Sequence, residues 1–304
     1  MKQSTILITG AGGFLGSHLA KRLHGENVIL TSRTPHNDRQ IRALDLLDAG
    51  CVSQAISSWK PNIVFHIGAV VNLSRDYDTA KKTLETNIFS TINVLEALRY
   101  CPPDLFVLAS TEEVYGDSPV PYREDMTPRP PSPYAISKVA SEQLCRMYAN
   151  ELQFPCVMFR IGTIFGPMQT LSRFIPTIIR QAIKGEDILL NSGEKSRDYI
   201  YIDDVVDACM LTKERVISEN TLILNVGGGT STRLIDVVQL IKKATKSTSR
   251  VQVGKIPERV AESDTWSMDI TKAHDILGWS PKVTLAEGIQ RTCDYFVHMK
   301  EPGL

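Results

Sequence analysis

Short runs of β-branched and aliphatic residues alternate along this chain with longer stretches whose apolar positions recur every three or four residues. "TILIT" (5–9) reads as a strand and is followed by a helical pattern from about Phe14; "NVILTS" (27–32) is the next strand. "NIVFHIGA" (62–69) precedes a polar helix near 81–99, and "LFVLAS" (105–110) precedes another near 134–152. "PCVMFRI" (155–161) and "LILNVG" (222–227) complete the series. Strand, helix and strand repeated in this way predict right-handed crossovers and a doubly wound α/β fold, a parallel sheet with helices on both faces. The Pro-dense "TPRPPSP" (127–133) is a stiff loop feeding the helix that opens near Tyr134. After about Pro167 the alternation loosens into shorter elements, which predicts a smaller lobe. "LILNVG" reads as a return to the main sheet, so the expected division is discontinuous: 1–166 with about 200–228 in the main domain, and 167–199 with 229–304 in the lobe.

Composition narrows the function classes. The 304 residues are 42% apolar, enough for one large core, and 34 basic residues balance 34 acidic ones. Nothing in that balance points to nucleic acid or to an anionic membrane, so any bound anion must be held by local groups. Six scattered cysteines with no CxxC spacing read as reduced thiols, with no metal expected. The apolar run in "MKQSTILITG" is far too short for a signal peptide or a membrane span, and no later run approaches about 18 residues; the expectation is a cytoplasmic protein.

Chemistry concentrates in three places. "TGAGGFLGSHL" sets Gly10, Gly13 and Gly16 between the first strand and the first helix, with Phe14 and Leu15 opening that helix. A tight strand-to-helix turn needs positive φ, and a pyrophosphate needs backbone N–H groups it can approach at a helix N-terminus. Tyr134 and Lys138, in "YAISK", stand four apart and share one helix face. A phenol with a pKa near 10 is too weak a base at neutral pH, and an adjacent ammonium would lower it. Between them lies "STEEVYGDS", where a strand ends in Ser110 and Thr111 followed by two adjacent carboxylates, Glu112 and Glu113.

The GxxGxxG spacing, "HIGA" (66–69), the YxxxK pair, "RDYIYIDDVVDA" (197–208) and "ILGWSP" (276–281) together resemble the extended short-chain dehydrogenases/reductases that act on nucleotide sugars, over almost the whole chain. The resemblance implies a Rossmann domain holding NAD(P) and a C-terminal lobe for a nucleoside-diphosphate sugar. It implies cofactor contacts from Gly10, Gly13, Phe14, Leu15, Gly16, the loop Ile67–Gly68–Ala69, the adenine-edge pair Asp45 and Leu46, Ser110, Tyr134 and Lys138. At the end of the second strand this chain has Ser32 and Arg33 where an NAD enzyme usually places a carboxylate, which favours NADP over NAD. Thr111 matches the hydroxyl that shares the substrate with Tyr134; Asn87 resembles a helix asparagine of these enzymes. Arg197 matches a diphosphate-binding arginine, with an ion pair to Asp203 or Asp204 as its other reading, and Arg259 is a second substrate residue. Thr163 stands where the pattern has an asparagine before "YGP" and, still able to donate to a phosphate, is a further substrate-binding candidate. His66, His274, the "LGW" of 277–279 and the cysteines read as structural.

Thr111-Glu112-Glu113 is similar to the Thr-Asp-Glu of 4,6-dehydratases, in which the second position is the acid and the third the base at carbon five. That favours a nucleotide-sugar 4,6-dehydratase. A 4-epimerase, an NADPH-dependent 4-ketoreductase and a decarboxylase stay open. An NADP-sensing regulator is the non-enzyme reading, though such proteins lose the Tyr/Lys pair that this chain keeps. The helices near 81–99 and 134–152 resemble a four-helix interface, which implies a homodimer.

Overall fold

The computed structural model of the chain describes residues 4–34, 40–215, 217, 219–258 and 263–298. Its strands, in chain order, are β1 Ile6–Thr9, β2 Val28–Ser32, β3 Arg42–Ala43, β4 Ile63–His66, β5 Leu105–Thr111, β6 Cys156–Ile161, β7 Thr163–Phe165, β8 Ile188–Leu189, β9 Ser196–Tyr201, β10 Thr221–Val226, β11 Ser231–Arg233 and β12 Val251–Gln252. The helices are α1 Phe14–Arg22, α2 Ala49–Trp59, α3 Tyr77–Leu98, α4 Pro133–Leu152, α5 Phe174–Lys184, α6 Ile202–Glu214, α7 Leu234–Thr245, α8 Thr271–Leu277 and α9 Leu285–His298.

Seven strands pair in the order β10-β6-β5-β4-β1-β2-β3, all parallel, as the alternating pattern predicts. Because the period of a strand is two, neighbouring residues serve opposite faces. Ile6, Ile8 and Phe65 join a core with Leu19 of α1 and Val205 of α6, while Leu7 and Val64 join one with Val52 of α2 and Val94 of α3. Each such side chain, fully buried, contributes about 1.5–3 kcal/mol. β4 and β2 flank β1, so the strand order reverses there and a crevice opens beyond the carboxyl ends of the strands. Trp279 is buried and its indole N–H donates to Asp204 O at 2.9 Å, so the "LGW" segment is indeed structural.

Two helix starts set the geometry beside that crevice. α3 begins at Tyr77, earlier than its apolar period indicates, because Asp76 caps it and accepts from Thr79 N at 2.9 Å. α4 begins where expected: Ser132 Oγ accepts from Ala135 N at 3.1 Å and Pro133 fills the first turn. A third core gathers Ile175, Ile179, Val237, Ile241, Ile289 and Phe296 around the β11-β9-β7 sheet. β10 returns from that region to pair with β6, Thr221 opposite Cys156 through Val226 opposite Ile161. Among the described residues no helix is long and apolar enough to cross a membrane.

Candidate functional site

The glycine turn follows β1 directly. Gly10 has φ +72°, and a Cβ there would lie 2.5 Å from Gly68 Cα; one on Gly16 would lie 2.2 Å from Gly10 O. Loop, following helix and the loop after β4 therefore touch backbone to backbone. Gly13 caps α1 without any side-chain bond, which leaves the first-turn N–H groups to a ligand. Thr9 Oγ1 accepts from both Ile67 N and Gly68 N, each at 3.2 Å, and so fixes the second loop. Leu46 lies against Gly68, with Cδ1 at 3.4 Å from where a Cβ would stand. This bare, backbone-lined cradle fits a dinucleotide pyrophosphate. Phe14 and Leu15 are half-buried in the first turn of α1.

Under the cradle a buried chain of polar groups runs to the helices. Thr9 Oγ1 is 3.0 Å from His66 Nδ1, His66 Nε2 is 3.2 Å from Thr91 Oγ1, and Thr91 Oγ1 donates to Asn87 O at 2.8 Å. Since the Thr9 oxygen already accepts two N–H groups, its proton points to Nδ1, which puts the imidazole proton on Nε2. Burial, then the Lys138 ammonium, lowers the His66 pKa to about 3, so the ring is neutral. Asn87 closes the chain by bonding Val70 N at 2.8 Å, Val70 O at 3.0 Å and Ser137 Oγ at 2.9 Å.

Tyr134 and Lys138 are both buried on α4. Lys138 Nζ donates to Ala109 O at 2.7 Å and stands 5.9 Å from the Tyr134 ring centroid. Burial lowers its pKa to about 8, against the pull of Cys145 and Glu142. The phenol departs from expectation. Burial first, and then the Glu113 carboxylate, push Tyr134 above its ordinary range, while Arg173 and a bond from Thr111 pull it down. Arg173 is thus a further cation acting on the phenol, one the sequence reading missed. Arg173 precedes α5 and donates to Val71 O at 3.1 Å; nothing in "TLSRFIP" marks it beforehand.

The two glutamates occupy a 3-10 turn, Glu112–Tyr115, directly after β5. Thr111 Oγ1 accepts from Glu113 N at 3.3 Å and so caps it. Glu113 faces Tyr134 electrostatically, whereas Glu112 turns the other way, where its Oε1 accepts from Thr163 Oγ1 at 2.7 Å. Glu112 is 2% exposed, and its Oε2 is buried with no hydrogen-bond partner among the described residues. Burial, and then Asp198, hold the Glu112 carboxyl well above the usual carboxylate range. Asp198 itself accepts from Gly228 N, from Met268 N at 2.9 Å and from Gly229 N at 3.1 Å, yet burial still pushes it up to about 6. Three N–H donors favour charge on Asp198, whereas a single hydroxyl offsets little of the burial that favours the protonated form of Glu112. Asp198 adjoins Arg197 in sequence, but nothing in the sequence alone brings it to Glu112.

Among the other expected residues, Arg197 is buried with its guanidinium 4.3 Å over Trp266 and Nη1 bonded to Ser196 O at 2.7 Å. Asp204 accepts instead from Lys282 N at 2.9 Å and Val283 N at 3.2 Å. Ser110 Oγ donates to Glu142 Oε1 at 2.5 Å, beside the buried Arg160–Glu142 pair. Ser32 ends β2 and Arg33, exposed, follows it. Asp45 accepts from Leu47 N at 3.0 Å, an Asx turn at the cradle's edge. Ala69 follows Gly68 and is half-buried. Arg259 lies outside the described residues.

A sequence model described as "NAD dependent epimerase/dehydratase family" matches residues 6–227. The UDP-glucose 4-epimerase of Mycolicibacterium smegmatis is 30% identical over 95% of this chain and 97% of its own length. The dTDP-glucose 4,6-dehydratase of Haemophilus influenzae is 26% identical over 96% and 97%. Among solved structures, the UDP-glucose 4-epimerase of Thermotoga maritima with UDP-glucose superposes with a TM-score of 0.91 at 28% identity, covering 98% of this chain and all (100%) of that one. The UDP-glucose 4-epimerase of Thermus thermophilus in complex with NAD gives 0.87 at 28%, covering 97% and 99%. The cofactor in that complex is NAD, and the expected preference for NADP gains no support from it. Fold, glycine cradle, Tyr–Lys pair and these likenesses agree, and the chain belongs to the NAD dependent epimerase/dehydratase family.

Proposed function

We propose that the protein is a nucleotide-sugar 4,6-dehydratase that uses a tightly held NAD(P). The observation that supports this reading over the others is the difference between the glutamates: Glu113 acts electrostatically on Tyr134, and Glu112 is buried with its carboxyl held towards the protonated form. A dehydration needs a base and an acid in addition to Tyr134; an epimerisation at carbon four needs no further base.

Bound dinucleotide, held by the Gly10–Gly16 cradle and Lys138, supplies a hydride acceptor at carbon four and a hydride donor at carbon six. Tyr134, as the phenolate that Arg173 favours, takes the proton of the carbon-four hydroxyl, with Thr111 sharing that hydrogen bond. The ketone so formed acidifies the proton on carbon five, and Glu113 removes it. Glu112 gives its proton to the carbon-six hydroxyl, which departs as water, and Glu113 returns a proton to carbon five, so the net change is loss of one water from the sugar. Arg197 and Arg259 are assigned to the diphosphate. The protein is read as a homodimer through α3 and α4, whose Phe89 and Met147 are exposed.

The test is reaction in heavy water with UDP-, dTDP-, GDP- and CDP-sugars, read by mass spectrometry. The expected product has lost water and carries deuterium at carbon five, and Glu113→Gln suppresses both. A product of unchanged mass without deuterium there overturns the reading in favour of a 4-epimerase. That second reading has its own support in the full-length likeness to the Thermotoga maritima UDP-glucose 4-epimerase.

A further inference from the structure

Thr163 opens β7 and Glu112 opens the turn after β5, two segments far apart in the chain that meet through one hydrogen bond of 2.7 Å. The charged groups facing Glu112 are Asp198 and Arg197 on β9 and its neighbour Glu113; the Tyr122 phenol also feels its charge. A second anion in this buried place would be repelled by Asp198, whose own oxygens already accept three backbone N–H groups. A carboxylic acid avoids that cost. With Oε1 accepting from Thr163, the acid's proton resides on Oε2, the buried oxygen with no partner among the described residues.

We propose that Thr163 is a positioning residue, whose hydroxyl fixes the Glu112 carboxyl with its proton on Oε2, ready to be given to a leaving hydroxyl. The use of that proton rests on the dehydratase reading, whereas the held acid is a property of the resting protein. This role differs from a direct Thr163 contact with substrate, which would make its loss a binding defect. The two arms of the contact also set each other's reach: shortening Glu112 to Asp by one methylene withdraws the carboxyl, and lengthening Thr163 to Asn restores contact.

The experiment has a spectroscopic and a kinetic arm, both on the purified protein with its cofactor. Infrared difference spectra near pH 7 should contain one protonated carboxyl C=O band that Glu112→Gln removes. Thr163→Val should move that band to higher frequency, through loss of the hydrogen bond to Oε1, and Thr163→Ser should leave it in place. Absence of a band sensitive to Glu112→Gln, or a band indifferent to Thr163→Val, overturns the proposal. In turnover, Thr163→Val should lower kcat for water loss by about tenfold or more, the scale of one hydrogen bond, with KM little changed and deuterium exchange at carbon five retained. A raised KM with unchanged kcat would assign the hydroxyl to the substrate and reject the proposal. Glu112→Asp/Thr163→Asn should recover part of what each single change loses. If the band behaves as described but no nucleotide sugar loses water, the dehydratase reading falls and the spectroscopic arm alone decides on Thr163.

Discussion

The glycine cradle and the carboxylate cluster lie at the same edge of the main sheet, yet they are specified differently. The cradle is made of backbone: its demands are steric, local in sequence and met by leaving out side chains at Gly10 and Gly16. The cluster is made of side chains: Glu112, Thr163 and Asp198 arrive from three separate elements, and what they do depends on burial and charge. One region tolerates almost no added atom. The other can exchange atoms if reach and charge are kept together.

The strongest way to break the two regions apart is Tyr134→Phe. It removes the base and leaves the cradle, so turnover should fall by ~10²–10⁴-fold while cofactor binding, followed by nicotinamide fluorescence, stays near normal. Retained activity would remove Tyr134 from the chemistry. Gly10→Ala tests the converse. Positive φ and the approach to Gly68 should together cost roughly 1–3 kcal/mol in denaturant unfolding and weaken cofactor binding, whereas a variant as stable as the parent would mean that the loops can part.

Glu112→Gln sharpens the electrostatic side. The folded pKa of Glu112 lies above its ordinary value of 4.5. Its stabilising contribution is therefore complete below about 4.5 and is lost as pH rises through the folded value. Gln cannot ionise. The stability advantage of the parent over Glu112→Gln should accordingly shrink as pH rises from about 4.5 towards the folded value and level off above it, in parallel urea titrations. An advantage that grows with pH would mean an ionised, well-compensated Glu112. The smallest effect is expected at exposed Arg33: if it meets a 2′-phosphate, Arg33→Ala weakens NADP by about tenfold and leaves NAD unchanged, and equal losses would remove that role.

What was legible in the sequence follows the same division. The strands, the glycine turn and the Tyr134–Lys138 spacing are local patterns, and the sheet obeys them. α3 was placed a few residues late because its first turn is declared by the Asp76 cap and not by apolar spacing. Beside Lys138, its neighbour on the helix, the Tyr134 phenol also feels Arg173 from beyond β7, which no local spacing announces. The Glu112–Thr163 contact combines two departures from the resembling pattern that look unrelated along the chain. Asp198 carried no signal at all, because its importance lies in what folds against it. Burial and long-range approach are written in the fold and only indirectly in residue order.

The return of β10 to the edge of the main sheet has a consequence for how the protein is made. β6, with all six residues buried, pairs with β5 on one side and waits for β10 on the other. Residues 162–220 must leave the ribosome before that partner arrives, several seconds at ~5–20 residues per second. During that interval "CVMFRI" is an apolar strand with an open edge, a template for pairing with other nascent chains. Arg160, near the end of it, can already pair with Glu142 on the completed α4, so one face of β6 is held to its helix before the edge is closed.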